Sequence, residues 1–201
     1  MIWVMTAGAA AYWDDQAATF DAQPDHGLLD PVVRAAWVRL LGPVMPAANA
    51  RVADVGSGTG TLSVLLAQAG HMLFGVDIAP RMIDAARAKA IAARVQAEFV
   101  VGDASAPPWR AGTFDVVLIR HVLWALPDPD AALGRWTELL SAGGRLVFVE
   151  GRWCAGGGLA AGEVVDLVLR HRREAAVTML NDPALWGRRI DDERYLVVSR
   201  F

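Results

Sequence analysis

The chain has 201 residues, of which 54% are hydrophobic and 20% are charged, and its formal net charge is −3. This length and composition fit one α/β domain with a sizeable core and exclude a largely disordered chain. No basic block points to a nucleic-acid partner, and no apolar run approaches the ~18 residues that a membrane span needs.

The number of cysteines and the first residues of the chain indicate the cellular compartment. Cys154 is the only cysteine, so the chain can form no internal disulfide and no cysteine-based metal site, which fits a reducing compartment. The first apolar residues are too few for a signal sequence. We therefore expect a cytoplasmic protein without a metal, a monomer or homodimer, that acts on no membrane or nucleic acid.

The predicted elements begin after a mixed segment, residues 12–29. Asp30 and Pro31 predict a helix start, with Asp as the N-cap and Pro at the first position. Strands and helices then alternate, which predicts a parallel sheet covered on both faces. The predicted strands are Arg51–Val55, Met72–Val76, Glu98–Val101, Phe114–Ile119 and Arg145–Val149, and the predicted helices between them are Thr61–Ala69, Pro80 to about Arg94 and Asp130–Leu140.

The C-terminal part follows a different pattern. A helix is predicted from Leu159 to about Arg173, and two strands, Ala176–Leu180 and Arg194–Ser199, follow without a helix between them. Strands joined in this way are antiparallel. We therefore predict a three-layer α/β sandwich whose seven-stranded sheet is mostly parallel, with one antiparallel strand near the C-terminus, at an antiparallel edge.

The most informative motif follows the first predicted strand, where Asp54 precedes glycines at positions 56, 58 and 60. A backbone without Cβ atoms allows a ligand to approach closely. Asp77 ends the next strand, and this pairing predicts a nucleoside-containing cofactor across the ends of two neighbouring strands. Further polar residues follow other predicted strands on the same edge, at Asp103 and at Arg120–His121.

The glycine spacing discriminates between cofactors. A dinucleotide fingerprint would place its third glycine where this chain has Thr61. The spacing Asp54-x-Gly56-x-Gly58-x-Gly60 instead resembles motif I of the class I S-adenosylmethionine (SAM) dependent methyltransferases. The resemblance is strengthened by Gly75-Val76-Asp77, Gly102-Asp103-Ala104 and Phe114-Asp115-Val116-Val117, and Tyr12-Trp13-Asp14 with Phe20-Asp21 resembles the cap of bacterial small-molecule methyltransferases.

The resemblance implies a Rossmann-like fold and a SAM site. One methyltransferase domain would span residues 1–201, with residues 1–30 as a cap over the active site and residues 31–201 as the SAM-binding core. Asp77 would accept hydrogen bonds from both ribose hydroxyls. The other implied cofactor contacts are Gly56, Ser57, Gly58 and Gly60 on the methionine part, Asp54 at the loop or the amino group, Ile78 and Met82 on the adenine, Asp103 and Ala104 at the adenine amino group, and Arg120 at the SAM carboxylate or an anionic substrate.

Methyl transfer from a sulfonium is an in-line displacement that mainly needs orientation and exclusion of water. A general base is needed only where a proton must leave the acceptor early, and His121 is the best candidate, with His26 a weaker one. Because only Gly151 to about Gly158 separates the fifth strand from the last helix, we expect residues 8–30 and Trp153–Gly158 to close the pocket. The expected substrate contacts are Tyr12, Trp13, Phe20 and Trp124.

These observations predict an enzyme that methylates oxygen or nitrogen of a small molecule, and C-methylation of a quinone-type substrate stays open. One alternative is an NAD(P)-dependent oxidoreductase, which Thr61 and the antiparallel tail disfavour. A non-catalytic SAM-binding protein is disfavoured by the aromatic cap and His121. A tRNA or protein substrate is disfavoured because no Asn-Pro-Pro-Tyr type motif follows the fourth strand, where Arg120-His121-Val122-Leu123 stands.

Overall fold

A computed structural model of the protein describes residues 8–47 and 49–200. Seven strands form one sheet in the order β3-β2-β1-β4-β5-β7-β6. The strands are β1 (Arg51–Val55), β2 (Met72–Asp77), β3 (Ala97–Val101), β4 (Phe114–Arg120), β5 (Leu140–Arg152), β6 (Ala176–Met179) and β7 (Glu193–Arg200). The pairs among β1 to β5 are parallel, whereas β7 is antiparallel to both β5 and β6.

The predicted seven-stranded, mostly parallel sheet with an antiparallel edge is confirmed, since β7 is antiparallel to both of its neighbours and β6 pairs with it at the edge. Strand β7 lies between β5 and β6, so β6 forms the edge. Burial explains this order: all four residues of β6 are exposed, while Arg194–Val197 in β7 are buried. A strand buried on both faces needs a neighbour on each side, whereas a short exposed strand suits an edge.

The helices are α1 (Ala9–Phe20), α2 (Pro24–Gly27), α3 (Pro31–Leu41), α4 (Thr61–Gln68), α5 (Pro80–Ala92), α6 (Pro129–Glu138) and α7 (Ala161–His171). The predicted start of α3 is confirmed, because the Asp30 carboxylate accepts a hydrogen bond from the Val32 amide at 2.7 Å. Helices α1 and α2 were not predicted. Helix α1 buries no residue fully, so it lacks the core-facing periodicity that marks the other helices.

Strand β5 begins five residues earlier than predicted. Its register against β4 shifts between Phe114, which pairs with Leu140, and Val116, which pairs with Arg145. The glycines at 143 and 144 therefore lie inside an irregular stretch of the strand rather than in a turn before it. At its other end β5 reaches Arg152, which brings Glu150 to the edge of the sheet where β1, β2 and β4 also end.

The two largest of the three apolar clusters in the described residues pack on opposite faces of the sheet. On one face Trp136 and Phe148 lie in a cluster with residues of α6 and α7. On the other, Trp37 and Trp186 lie in a cluster with residues of α3 and α4. This three-layer arrangement leaves the carboxyl ends of the parallel strands free for a ligand. No helix in residues 8–47 and 49–200 is long and apolar enough to cross a membrane.

Candidate functional site

The turn between β1 and α4 is fastened to the neighbouring strand through its main chain. The amides of Gly56 and Ser57 both donate to the Val76 carbonyl, at 2.8 and 2.9 Å, and the Gly60 amide donates to the Ser57 carbonyl at 2.9 Å. Gly56, Gly58 and Gly60 have φ angles of +71°, +52° and +70°. Because side-chain-bearing residues rarely adopt this region, the three glycines set the path of the turn.

The surroundings of these glycines differ. A Cβ at Gly60 would lie 2.8 Å from the Ala86 Cβ and 2.9 Å from the Phe99 ring. At Gly58 the nearest atom would be in the Phe20 ring, at 3.6 Å. Gly60 is therefore needed for packing of the turn against α5 and β3, whereas Gly58 faces the cavity beneath the cap.

Asp77, at the end of β2, holds the glycine turn from the side. Its Oδ2 accepts a hydrogen bond from the Gly58 amide at 2.9 Å, and its Oδ1 accepts one from the Ala79 amide at 2.9 Å. Burial raises the pKa of Asp77, although the two amides oppose this effect. Each carboxylate oxygen has a second lone pair, so the group retains capacity to accept a hydroxyl of a ligand.

Asp54 lies at the base of the same turn and is 3% exposed. The Ser63 hydroxyl donates to its Oδ2 at 2.6 Å, and burial raises the pKa of Asp54 to about 6. The hydroxyl of Ser57 is buried and has no hydrogen-bond partner among the residues described. These two groups offer a ligand one acceptor and one donor beside the bare main chain.

A cavity of about 260 Å³ opens above these groups, at the carboxyl ends of the strands. Most of the predicted site residues line it together: Trp13, Phe20, His26, Asp54, Gly56, Ser57, Gly58, Asp77, Ile78, Met82, Ala104, Arg120, His121 and Trp124.

Three predicted site residues lie outside the lining of the cavity. Gly60 forms the N-terminal cap of α4 and packs against α5. Asp103 is exposed, and its carboxylate accepts a hydrogen bond from the Ser105 amide at 2.7 Å. Tyr12 is 42% exposed and contacts the Trp13 ring edge-on, with 5.0 Å between the ring centroids.

Helices α1 and α2, hereafter the cap helices, supply aromatic groups to the cavity. The Phe20 and His26 rings stack with their centroids 4.2 Å apart. The Trp13 ring meets Phe20 edge-on at 6.3 Å. All three line the cavity, so the cap presents flat apolar surfaces to whatever occupies it.

An ion pair and several hydrogen bonds join the cap to the glycine turn. Asp21, which follows α1, accepts a hydrogen bond from the Thr59 hydroxyl at 2.6 Å, and its other oxygen lies 2.7 Å from the Lys89 ammonium. Lys89 also donates to the hydroxyls of Thr59 and Thr61. Burial lowers the pKa of Lys89, while the contact with Asp21 opposes this effect. Lys89 is the only lysine in the sequence.

The loop after β4 places His121 in the cavity wall. His121 has a φ of +56°, and the Trp124 indole donates to its carbonyl at 3.0 Å. The imidazole meets the Trp153 ring edge-on at 5.4 Å, and its Nε2 is buried with no partner in the described part of the chain. Burial, reinforced by the charges of Arg120 and Arg194, holds the pKa of His121 well below its usual range, so the ring is neutral near pH 7.

Arg120 also lines the cavity, and it fastens the second cap helix. Its Nη2 donates to the carboxylate of Asp25 at 3.1 Å and to the carbonyl of the same residue at 2.7 Å. The guanidinium lies over the Trp37 ring, 4.4 Å from its centroid. Its Nε is buried and makes no hydrogen bond to a described residue.

Two residues that the sequence analysis did not identify, Glu150 and Arg194, lie beside this loop. Glu150, fully buried at the end of β5, accepts hydrogen bonds from the Val122 and Leu123 amides at 2.9 and 3.0 Å. Burial raises its pKa to about 7. Arg194 lies between the rings of Trp153 and Trp186, 5.0 and 5.3 Å from their centroids. A carboxylate directly after the apolar run of β5 is the one sequence signal that could have identified this cluster.

The donor set in the described ranges does not suit a metal ion. No group of three or more His, Cys, Asp or Glu side chains in residues 8–47 and 49–200 is arranged to hold one. The cavity instead combines main-chain amides, two acidic groups and aromatic walls. This chemistry suits a nucleoside-containing ligand beside a flat organic molecule.

Comparison with known proteins supports the same assignment. The family model described as a methyltransferase domain matches residues 53–148. A demethylmenaquinone methyltransferase of Thermus thermophilus is 38% identical over 102 residues, which are 50% of this chain and 46% of that protein. A ubiquinone biosynthesis O-methyltransferase of Bordetella avium is 31% identical over 144 residues, 71% of this chain and 57% of that protein. The chain therefore spans about half the length of these curated relatives.

Solved structures show the same architecture. A SAM dependent methyltransferase from Aquifex aeolicus superposes with a TM-score of 0.72, covering 93% of this chain and 97% of that one at 14% sequence identity. At this identity the likeness shows the fold alone. It agrees with the predicted fold class.

Proposed function

Residues 53–148 carry the domain of the class I SAM-dependent methyltransferases, and from this premise we propose that the protein transfers a methyl group from SAM to oxygen or nitrogen of a small-molecule acceptor. The observation that carries the proposal is the cavity bounded by the glycine turn, Asp77 and the aromatic cap. One end offers groups for a nucleoside and an amino acid, and the other offers flat apolar walls.

The residues present fit SAM. The Ser57 hydroxyl is a buried group that lacks a partner in the described ranges, and a ligand oxygen beside Gly58 would meet bare main chain. We propose that Asp77 accepts hydrogen bonds from the ribose hydroxyls through its remaining lone pairs. Ile78, Met82 and Ala104 would pack on the adenine. Asp54, 3% exposed, would face the amino group of the methionine part.

Two of the predicted cofactor contacts, those of Asp103 and Arg120, are possible only through atoms that are not already paired. Asp103 is exposed, and one of its oxygens already accepts the Ser105 amide, so a contact with the adenine amino group requires the other oxygen. Arg120 is paired with Asp25 through Nη2, so an anionic ligand would be bound through the rest of the guanidinium. Gly60 would not contact SAM, and its role would be to allow the glycine turn to follow its path.

On the acceptor side we propose that Trp13, Phe20 and Trp124 pack on the substrate, with Tyr12 supporting Trp13. Bound SAM supplies an electrophilic methyl group. The protein holds the acceptor in line with that group and excludes water, which accounts for most of the rate gain. His121 faces the cavity as a neutral ring and would take a proton from an acceptor that must lose one, with His26 as the second candidate.

We further propose one domain over residues 1–201, with residues 1–30 as the cap. The ion pair of Asp21 with Lys89 and that of Asp25 with Arg120 support this, because both join the cap to the core. The exposed free thiol of Cys154 suits the reducing cytoplasm. A monomer or homodimer remains our proposal for the assembly.

The proposal is tested by incubating the protein with SAM carrying a labelled methyl group and a bacterial small-molecule extract. We expect S-adenosylhomocysteine (SAH) to form and one labelled product to appear by mass spectrometry. His121→Ala should lower turnover by roughly 10²-fold if a proton is transferred, with SAH binding retained. Oxidation of NADH or NADPH in place of methyl transfer would instead support the oxidoreductase alternative.

A further inference from the structure

The cavity wall formed by the end of β4 and by α2 contains several buried polar nitrogens without partners. Arg120 Nε, His121 Nε2 and His26 Nδ1 are buried and bond to no residue that the structure describes. All three residues line the cavity. Polar groups are rarely buried without a partner, so this wall is completed by a ligand or water that hydrogen-bonds to it.

A second guanidinium lies behind the same wall. Arg194 packs against the Trp153 ring, and that ring lines the cavity. Arg194 pairs with Asp192 through Nη2 at 2.9 Å, as Arg120 pairs with Asp25 through Nη2. Both arginines are thus fixed by one edge, while the Nε of each is buried and unpartnered within the described ranges.

The charges that act on the His121 ring are of one sign. Arg120 and Arg194 both oppose its protonation, so they favour a negative group at the same place. The neighbouring carboxylates each have a partner: Asp25 and Asp192 on the Nη2 edges of the arginines, Asp54 with Ser63, and Glu150 through Oε1 with two loop amides, while Glu150 Oε2 stays unpaired among the described residues. Burial raises the pKa of Glu150 to about 7, so part of it is neutral there near pH 7.

The remaining lining defines the shape of the ligand. Trp13, Phe20, Trp124 and Trp153 provide aromatic rings to the cavity, and the Trp124 and Trp153 centroids are 5.1 Å apart. Aromatic walls of this kind favour a flat apolar body. The ligand that fits this cavity therefore has a negatively charged group that faces the positively charged wall and a flat apolar body that packs on the rings.

We propose that the acceptor is a planar molecule whose reacting oxygen is bound as an anion, a phenolate or an enolate, by Arg120 and His121, both of which line the cavity. This inference rests on the proposed function, because it specifies the acceptor of the same site. Charge-assisted hydrogen bonds from a guanidinium are among the strongest that a protein can offer an oxyanion.

The chemical step balances without a protein base for this class of acceptor. The hydroxyl proton leaves to solvent when the acceptor binds as its anion. A lone pair of the oxygen then forms the new O–CH₃ bond while the S–CH₃ bond breaks, and its electron pair stays on sulfur. His121 donates a hydrogen bond to the oxygen rather than accepting its proton, and the neutral ether formed loses its attraction to Arg120.

The test uses 4-nitrophenol, whose anion absorbs visible light, and its neutral ether 4-nitroanisole, with the protein saturated with SAH. We expect bound nitrophenol to titrate about one pH unit lower than free nitrophenol, which is a roughly tenfold preference for the anion. Nitroanisole should bind at least about tenfold more weakly. Arg194→Gln should reduce the shift, whereas Arg145→Gln, at the opposite end of β5, should not.

SAH binding, measured by calorimetry on the same samples, separates the proposed function from the proposal of an anionic acceptor. If SAH does not bind, the proposed function fails. If SAH binds and nitrophenol shows no shift, or neither probe binds, or nitroanisole binds equally well, the anionic acceptor is wrong while the proposed function stands. The titration of nitrophenol bound to the native protein tests the anionic acceptor even if Arg194→Gln does not fold.

Discussion

The two ends of the cavity are built in different ways. The end at the glycine turn uses main-chain amides and two carboxylates from the consecutive strands β1 and β2. The other end uses side chains from the cap helices, the loop after β4 and the segment after β5, which are far apart in sequence. Under the proposed function, the cofactor is held by backbone geometry, while the acceptor is met by side chains, which can change without altering the fold.

The two ends also differ in how their polar groups are satisfied. At the glycine turn, Asp77 and Asp54 have hydrogen-bond partners. At the other end, Arg120, His121 and Glu150 each keep one buried atom that is unpaired among the residues described. Apart from the buried, unpaired hydroxyl of Ser57, the polar groups of the first end are satisfied before its ligand binds, whereas the second end is complete only with a ligand in it.

The largest expected effect comes from adding one methyl group to the turn. Gly60→Ala should destabilise the protein by about 2–4 kcal/mol, because the new Cβ would meet Ala86 and Phe99 and the φ is unfavourable. Gly58→Ala is the matched control, since its φ is also positive but its nearest contact is at 3.6 Å, and it should cost about 1 kcal/mol. Equal losses in urea unfolding would show that sterics do not distinguish the two positions.

The next largest effect is a loss of cofactor affinity when Asp77, at the end of β2, is replaced. Asp77→Ala should weaken SAH binding by about 10- to 100-fold, because two amides and the ribose lose their acceptor. Asp103→Ala, at the end of the neighbouring β3, should change the affinity less than about threefold, since that side chain is exposed. Calorimetry on both variants checks this, and comparable losses would place Asp103 in the site after all.

The pH dependence of stability tests the other end. The pKa of Glu150 rises from 4.5 to about 7 on folding, so the folded protein binds this proton more tightly than the unfolded chain does. The resulting stability is complete below pH 4.5 and is lost as the pH rises towards 7. Glu150→Gln should remove this loss, on the order of 2 kcal/mol between those values.

Asp54 also contributes to the pH dependence of stability, equally in the native protein and in the Glu150→Gln variant. Its pKa, raised to about 6, gives the native protein and the variant the same smaller loss at lower pH. Urea unfolding of both proteins across the range from pH 4.5 to 7.5 checks the difference. Parallel stability curves would show that Glu150 does not titrate in this window.

The smallest effect concerns the contact between the two ends. Lys89→Met removes the ion pair with Asp21 and the bonds to Thr59 and Thr61, and should destabilise the protein by about 1 kcal/mol because the group is partly exposed. It should also make the cap more accessible to protease. Arg81→Met removes a charge from an exposed position on the same helix, and it should change neither property. A cap equally protected in both variants would contradict the role given to Lys89.

The same contrast explains what could be predicted from the sequence. Strands β1 to β5 and the glycine turn were predictable because buried strands have continuous apolar runs and the turn has a fixed glycine spacing. Helix α1 was not, because it buries no residue fully. The place of β7 between β5 and β6 depends on pairing over long sequence distances, which no local pattern encodes.

The acceptor end was predictable only in part. His121 and Trp124 follow a predicted strand, so their position at the sheet edge could be inferred. Arg194, which comes from β7, meets Trp153 only in three dimensions. Its pairing could not be inferred from spacing, and neither could that of Lys89 with Asp21.

The central claim is that the glycine turn and Asp77 bind SAM, and titration calorimetry of the native protein tests it most directly. SAM and SAH should each bind at a single site with measurable heat, while NADH and NADPH should give none. Binding of either nicotinamide cofactor, with no heat from SAM or SAH, would contradict the assignment.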